Sequence, residues 1–310
     1  MEDHFSSIRF LLISALIVMV GVIIASMVGM GIQEESKGMA KPTLIFLWLF
    51  TSTGKLFSFV QFIGFFGPLI GIFLGFDSIN RERVSRTLSK LLSQPIYRDS
   101  VINAKFLSGV AMIAIVLVAI VLIISGLGIR LIGVVPGGEE VWRLVIYLIA
   151  SILYVSFWLG ISILFSVMFR STATSALASL AIWIFFSFFV SLGAGALANA
   201  IAPVSQSASG IDVDAAIKNA QIQRTISLFS PMTLYSDATT TILDPMRKTT
   251  QALILMGPLE RLSLSRFQNP LPLLQSLFIV IPHLISIVAI TILCFGVCYL
   301  VFMRQEIRTV

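Results

Sequence analysis

LSGVAMIAIVLVAIVLIISGLGI, residues 107–129, contains no Asp, Glu, Lys or Arg. As a helix rising 1.5 Å per residue it is roughly 35 Å long, enough to cross a hydrocarbon core about 30 Å thick. In lipid a spanning segment must satisfy its backbone hydrogen bonds internally, so a run of this kind is a helix. Blocks of the same character occupy residues 10–30, 56–76, 144–169, 174–198 and 276–303. The sequence therefore predicts an all-α integral membrane protein with six transmembrane helices, folded as one domain over residues 1–310.

The composition excludes a soluble reading. Of 310 residues, 57% are hydrophobic and only 12% are charged, against about 25% charged in a soluble globular chain. The net charge of +6 does not point to nucleic acid, because the basic residues sit at the ends of apolar blocks, where membrane orientation and lipid headgroups account for them. No basic patch interleaved with aromatics occurs in a polar segment, so no nucleic-acid partner is expected. Cys294 and Cys298 share a helical face, but His283 lies about 16 Å along the axis from the nearer one, too far to share an ion. The two cysteines read as small apolar side chains, and no metal site is expected.

Around these blocks the chain alternates. Block 10–30 follows Arg9 and exceeds the h-region of a signal peptide, so it is expected to be a retained anchor with its N-terminus inside. Leu44–Phe50 is apolar but too short to span and is expected in the interface. Block 56–76 carries Pro68 and glycines at 64, 67, 71 and 75. Gly67, Gly71 and Gly75 recur every four residues, giving one face on which another helix backbone can pack closely. Region 199–275 is polar, with a helical stretch at Asp212–Leu228 and breaks at Ser230-Pro231 and Asp244-Pro245. It is expected to form a mostly helical external region. The short loops carry ten basic residues on one side (Arg9, Arg81, Arg83, Arg86, Lys90, Arg98, Lys105, Arg170, Arg304, Arg308) against five on the other (Lys37, Lys41, Lys55, Arg130, Arg143). By the positive-inside rule both termini are cytoplasmic in a multi-pass protein of the cell membrane.

The spans offer almost no chemistry. Their strongly polar candidates are Gln61 and His283, too little to hold a coupling ion or to build an intramembrane hydrolase. Gly54-Lys55 is followed by Leu56 and lacks the earlier glycine of a phosphate-binding loop. No catalytic or cofactor-binding residues are expected in the chain. If it moves anything uphill, the energy comes from a partner.

The informative polar stretch is 77–106. Val84, Leu88, Leu91 and Leu92 recur at i, i+4, i+7 and i+8, and Arg81, Arg83, Arg86 and Lys90 cover the remaining faces. Pro95 ends this helix by forcing Gln94 out of the helical region, and a second short helix from about Arg98 leads into the third span. The result is a basic, amphipathic hairpin. The stripe suits a helix lying on anionic lipid or one docked on a partner protein, and the pattern alone fits both.

The run Glu82-Arg83-Val84-Ser85-Arg86-Thr87-Leu88, then Leu91-Leu92-Ser93-Gln94-Pro95-Ile96-Tyr97-Arg98, then Lys105 resembles the type 2 (exporter-like) permease subunits of ABC transporters. It is most similar to the branch that includes nitrous-oxide-reductase maturation and gliding-motility-like permeases. That family carries a Glu, then Gly-Thr-Leu, then Leu-Leu-x-x-Pro-x-x-Arg, then a Lys opening span 3. Glu82, Thr87, Leu88, Leu91, Leu92, Pro95, Arg98 and Lys105 match; the family glycine is Arg86 here, and a frequent second acidic residue is Val84. The resemblance implies a permease paired with a second copy or paralogue, bound through 77–106 to ATPase subunits that hold ATP and magnesium. It also implies that Leu88, Leu91 and Leu92 are buried anchors in that contact, with Glu82 and Arg98 supplying oriented charge pairs and Arg83 part of the same coupling segment. The other reading of the same hairpin is a membrane anchor that passes mechanical work from an ATPase without moving a cargo.

Overall fold

The computed structural model describes residues 8–35, 44–51, 58–84, 97–203, 206–207, 210–211, 213–250, 255 and 269–304. Among these residues the chain is almost entirely helical: α1 (Ile8–Glu35), α2 (Trp48–Thr51), α3 (Phe59–Gly75), α4 (Asn80–Val84), α5 (Arg98–Ile132), α6 (Gly138–Met168), α7 (Thr172–Ile184), α8 (Val190–Ile201), α9 (Val213–Ser227), α10 (Pro231–Leu243) and α11 (Leu273–Arg304). A two-residue antiparallel ladder pairs Gln206 with Ile211 and Ser207 with Gly210. Six helical stretches are long and apolar enough to cross a membrane, α7 and α8 counting as one through a π-helical turn at Phe185–Phe189.

The expected second short helix from Arg98 does not stand apart. It continues into the third span as the single helix α5, opened by Tyr97 in an extended conformation and closed by Gly133 at φ +67. That left-handed position is one that glycine adopts without strain.

The helices α3 and α6 form the centre, each with 67% of its span buried, whereas α7–α8 buries 11% and α11 17%. The outer helices present Leu177, Phe188, Leu192, Phe278 and Leu293 outward. An apolar exterior of this extent suits lipid, which provides no driving force to hide it.

Contact between α3 and α6 is set by backbone, because glycine removes the side chains that would hold them apart. A Cβ on Gly71 would stand 2.6 Å from the Val155 carbonyl oxygen and 2.8 Å from the Leu159 nitrogen. One on Gly75 would meet Ser162 Cβ at 2.7 Å, and one on Gly67 would meet Val155 Cγ2 at 3.0 Å. Proline does related work one turn earlier. Pro68 lies inside α3 and has no N–H to offer the carbonyl four residues back, which is Gly64. Tyr154 of α6 donates its hydroxyl to that carbonyl at 2.7 Å. Lower along the seam, Ser162 donates to the Ile72 carbonyl at 2.8 Å.

Two segments lie where the sequence reading did not place them. The apolar piece at Leu44–Phe50, expected in the interface, packs into the core as a short 3₁₀ turn and α2. Ile45, Phe46, Leu47, Leu49 and Phe50 are all fully buried there. Gly128 of α5 makes room for it, since a Cβ there would stand 2.6 Å from Leu49 Cδ2. The expected helical external region is partly core. The expected break at Ser230-Pro231 is also where helix α10 starts, and α10 packs among α3, α6 and α11 with Tyr235, Ala238, Ile242 and Leu243 buried. Tyr235 stacks on Tyr154 at 4.4 Å and hydrogen-bonds Ser151 at 2.9 Å. The burial of Tyr235 is made tolerable by the hydroxyl of Ser151 on α6, which satisfies its phenol.

Replacing Gly71 with Ala forces α3 and α6 apart at backbone atoms that cannot rotate away. We expect Gly71→Ala to destabilise the purified protein by about 1–3 kcal/mol, the usual cost of overpacking. Gly126→Ala, where nothing lies within 4 Å, should leave it unchanged. Thermal unfolding of both variants in detergent tests this, and equal melting temperatures would show that the seam has slack.

Candidate functional site at the base of the 77–106 segment

Where α3 ends, the chain turns through Phe76–Ile79 and enters the single-turn helix α4. Ser78 closes the turn by donating its hydroxyl to the Gly75 carbonyl at 2.9 Å. A helix start leaves backbone N–H groups without intrahelical partners. Here the N–H groups of Ile79 and Asn80 both reach Ser166 Oγ of α6 at 3.1 Å. Ser166, Ile79 and Asn80 are fully buried, so the cap is supplied by a buried side chain 86 residues from Asn80. The Asn80 side chain donates to the Ser171 carbonyl at 3.3 Å, reaching the α6–α7 junction.

The favour is returned at the end of α6. Arg83 donates to the carbonyls of Val167 and Phe169, each at 3.4 Å, among the orphan acceptors of a helix C-terminus, where positive charge is also favourable. On its other side α4 meets α5 through an ion pair between Glu82 and Lys105, both half-buried. Thus α4 is tied to α6 by a cap in each direction and to α5 by a charge pair. A displacement of α4 must load both helices.

Of the residues singled out in the sequence, the structure brings Glu82, Arg83 and Lys105 together at this junction. Gly67, Gly71 and Gly75 lie along the α3–α6 seam that leads away from it. Arg98 opens α5, and its side chain lies outside the described residues, as do Thr87, Leu88, Leu91, Leu92 and Pro95. Sequence reasoning missed Asn80, Ser166 and Ser171. No spacing rule links residues 86 to 91 apart, and serine within an apolar block carries no sign of its partner. The intramembrane candidate Gln61 proves to be structural: its side chain accepts from the Ser58 N–H at 3.1 Å while Ser58 Oγ accepts from the Gln61 N–H at 3.2 Å, a reciprocal cap opening α3.

At the opposite ends of α5 and α6 the polar groups are equally committed. Glu140, buried, accepts from the Gly137 N–H at 2.7 Å and from the Phe46 N–H at 3.1 Å, pinning the 45–51 piece to the start of α6. Arg143, fully buried, donates to Glu139, to the carbonyls of Ile242 and Leu271, and to Ser276. It thereby joins α6, α10 and α11. Among the described residues no group of His, Cys, Asp and Glu is arranged to hold a metal ion.

Six apolar helices around a buried glycine seam, with polar residues gathered at the ends, define a multi-pass membrane protein. Residues 1–307 match the family described as ABC-2 family transporter protein, and the chain belongs to that family. It is a membrane transport component of the ABC class, and the family implies an ABC ATPase as its partner. No curated protein matches the chain.

Ser166→Ala removes the acceptor of two buried N–H groups. We expect a loss of about 1–3 kcal/mol from the unpaired donors and faster amide hydrogen exchange confined to residues 77–84, measured by mass spectrometry. Exchange unchanged in that segment would show that the cap does not hold α4.

Proposed function

We propose that this chain is the permease subunit of an ATP-driven ABC exporter, working as a pair of permeases with two separate ATPase subunits that bind ATP and magnesium. The observation that carries the reading is the junction just described. Segment 85–96 joins α4 to α5, and both helices are anchored where it enters and leaves: α4 on α6 through Ser166 and Arg83, α5 on α4 through Lys105. A push on that segment is delivered to three spans at once. The leucines 88, 91 and 92 are its anchors in the ATPase, and Thr87, Pro95 and Arg98 shape the contact.

The polar end that holds α4 faces the cytoplasm in this reading, together with both termini. Support comes from the basic residues gathered there, Arg81, Arg83, Lys105 and Arg170, and from the rule that short cytoplasmic loops are enriched in Lys and Arg. The hairpin's likeness to the nitrous-oxide-reductase maturation and gliding-motility-like permeases supports a place in that branch. The glycine seam is used within the chain, between α3 and α6, which leaves the apolar faces of α7–α8 and α11 for lipid or the second permease.

Truncating a buried interface anchor costs on the order of 2 kcal/mol or more, and a carboxylate in its place adds desolvation. Leu91→Asp is therefore expected to abolish co-purification of the ATPase and permease-stimulated ATP hydrolysis, while insertion and thermal stability stay at the parent level. Undiminished co-purification of the ATPase would sink the proposal. Normal ATPase stimulation by the parent protein with no cargo moved in proteoliposomes would assign the chain to the anchor role instead.

A further inference from the structure

A second charged cluster lies where α9, α10 and α11 meet, apart from the coupling junction. Asp237, near the middle of α10 and largely buried, accepts from Arg224 of α9 on one carboxylate oxygen and from Arg247 on the other, at 3.2 Å. Arg247 also donates to the Thr249 carbonyl at 3.2 Å and to the Thr240 hydroxyl. His283 of α11 adjoins Leu284, which packs against the buried cluster of Ala238, Ile242 and Val280 next to Asp237.

The charges do not balance. Two guanidiniums share one carboxylate, both of whose oxygens are taken. A guanidinium has five N–H donors, and among the described residues Arg224 directs one of them to the protein, although its side chain is only 21% exposed. His283 Nδ1 is buried with no hydrogen-bond partner among the described residues, and so is Nζ of Lys248, next to Arg247 in the chain. A shielded surplus of positive charge and unused donors is costly unless an anion completes it. The complement is a group with several acceptor oxygens, and phosphate meets guanidinium in a two-pronged fit. Exposed apolar side chains lie close by in the chain, Met246 beside Arg247 and Phe229 just before α10, which suits a headgroup carrying an apolar tail.

We propose that Arg224, Arg247 and His283 hold the phosphate group of an anionic amphiphile, the membrane's own anionic phospholipid being its source. This site is independent of the transport reading and is tested without the ATPase. The full chain is placed in phosphatidylcholine nanodiscs and titrated with phosphatidylglycerol, with further phosphatidylcholine or with inorganic phosphate, reading retention by native mass spectrometry and the melting temperature. Phosphatidylglycerol is expected to be retained and to raise the melting temperature, and phosphatidylcholine to do neither. An equal effect of inorganic phosphate alone would keep the site and assign it to a free anion.

Arg224→Gln leaves Asp237 paired with Arg247 and is expected to weaken phosphatidylglycerol binding about tenfold, the worth of a charge-assisted contact. Arg247→Gln, at the more exposed arginine, should do likewise. Asp237→Asn gives the sharper reading. It removes the competing carboxylate and should tighten binding, an outcome that a purely structural bridge does not produce. Equal retention of the two lipids, unchanged affinity in both arginine variants, or no gain in Asp237→Asn would each overturn the proposal.

Discussion

The approach of α3 to α6 at backbone distance is the constraint from which the rest of the bundle follows. With no Cβ at positions 71 and 75, the two helices meet at Val155, Leu159 and Ser162, close enough for side chains of α6 to reach carbonyls of α3. Tyr154 then takes the carbonyl that Pro68 leaves unpaired, and Ser162 takes that of Ile72. These bonds matter in lipid, where an unmatched carbonyl has no water to turn to. The seam also fixes where α3 ends relative to α6, and so places Ser166 within reach of the first N–H groups of α4. A wider gap would stretch the cap, whose two bonds at 3.1 Å already lie near the long end of the N–H···O range.

That geometry gives the bundle an inside and an outside with different mechanical character. The pair α3–α6 is clamped by backbone contact and buried hydroxyls. The pair α7–α8 is held by few buried side chains and is interrupted by a π-helical turn, whose Phe186 carbonyl is taken by Ser230 at the start of α10. Under the proposed function a push at α4 arrives at the rigid pair first, through Ser166 and Arg83, and at α7 through Ser171. The chain then moves as a clamped unit carrying a more loosely held one. Such an arrangement suits rotation of one rigid body against another better than bending within the spans.

The membrane character was legible in the sequence because hydrophobic length is a property of consecutive residues. The stretch 107–129 needs no partner to declare itself a span. The glycine spacing on α3 was equally visible, since every-fourth-residue recurrence survives in one dimension, though its partner α6 was not named. What escaped was everything decided by pairing. Leu44–Phe50 reads as interfacial because it is too short to span, yet Gly128 and Glu140, far along the chain, make a buried place for it. Helix α10 reads as polar, and it is core because Tyr235 finds Tyr154 and Ser151. At the junction of α4 with α5 and α6 the charged members could be picked out from their resemblance to a family pattern. Ser166, which supplies the cap, lies in an apolar block where a serine announces nothing.

The absence of charge from the interiors of the spans acquires a structural meaning from these pairings. Arg143, Asp237 and Glu140 are all buried, yet each sits at a helix end or on the short helix α10, where backbone carbonyls, free N–H groups and opposite charges are available to complete it. Mid-span, most backbone groups are engaged in their own helix, and the Gly64 and Phe186 carbonyls are already taken by Tyr154 and Ser230, so a charge would find few such partners. Polar chemistry is therefore concentrated at the two ends of a rigid apolar middle. A protein built this way has little with which to bind a coupling ion halfway across. It does have two polar ends linked by a stiff seam, so that work applied at one end is felt at the other. This is the architecture expected of a component driven by a partner, and it agrees with membership of the ABC-2 transporter family.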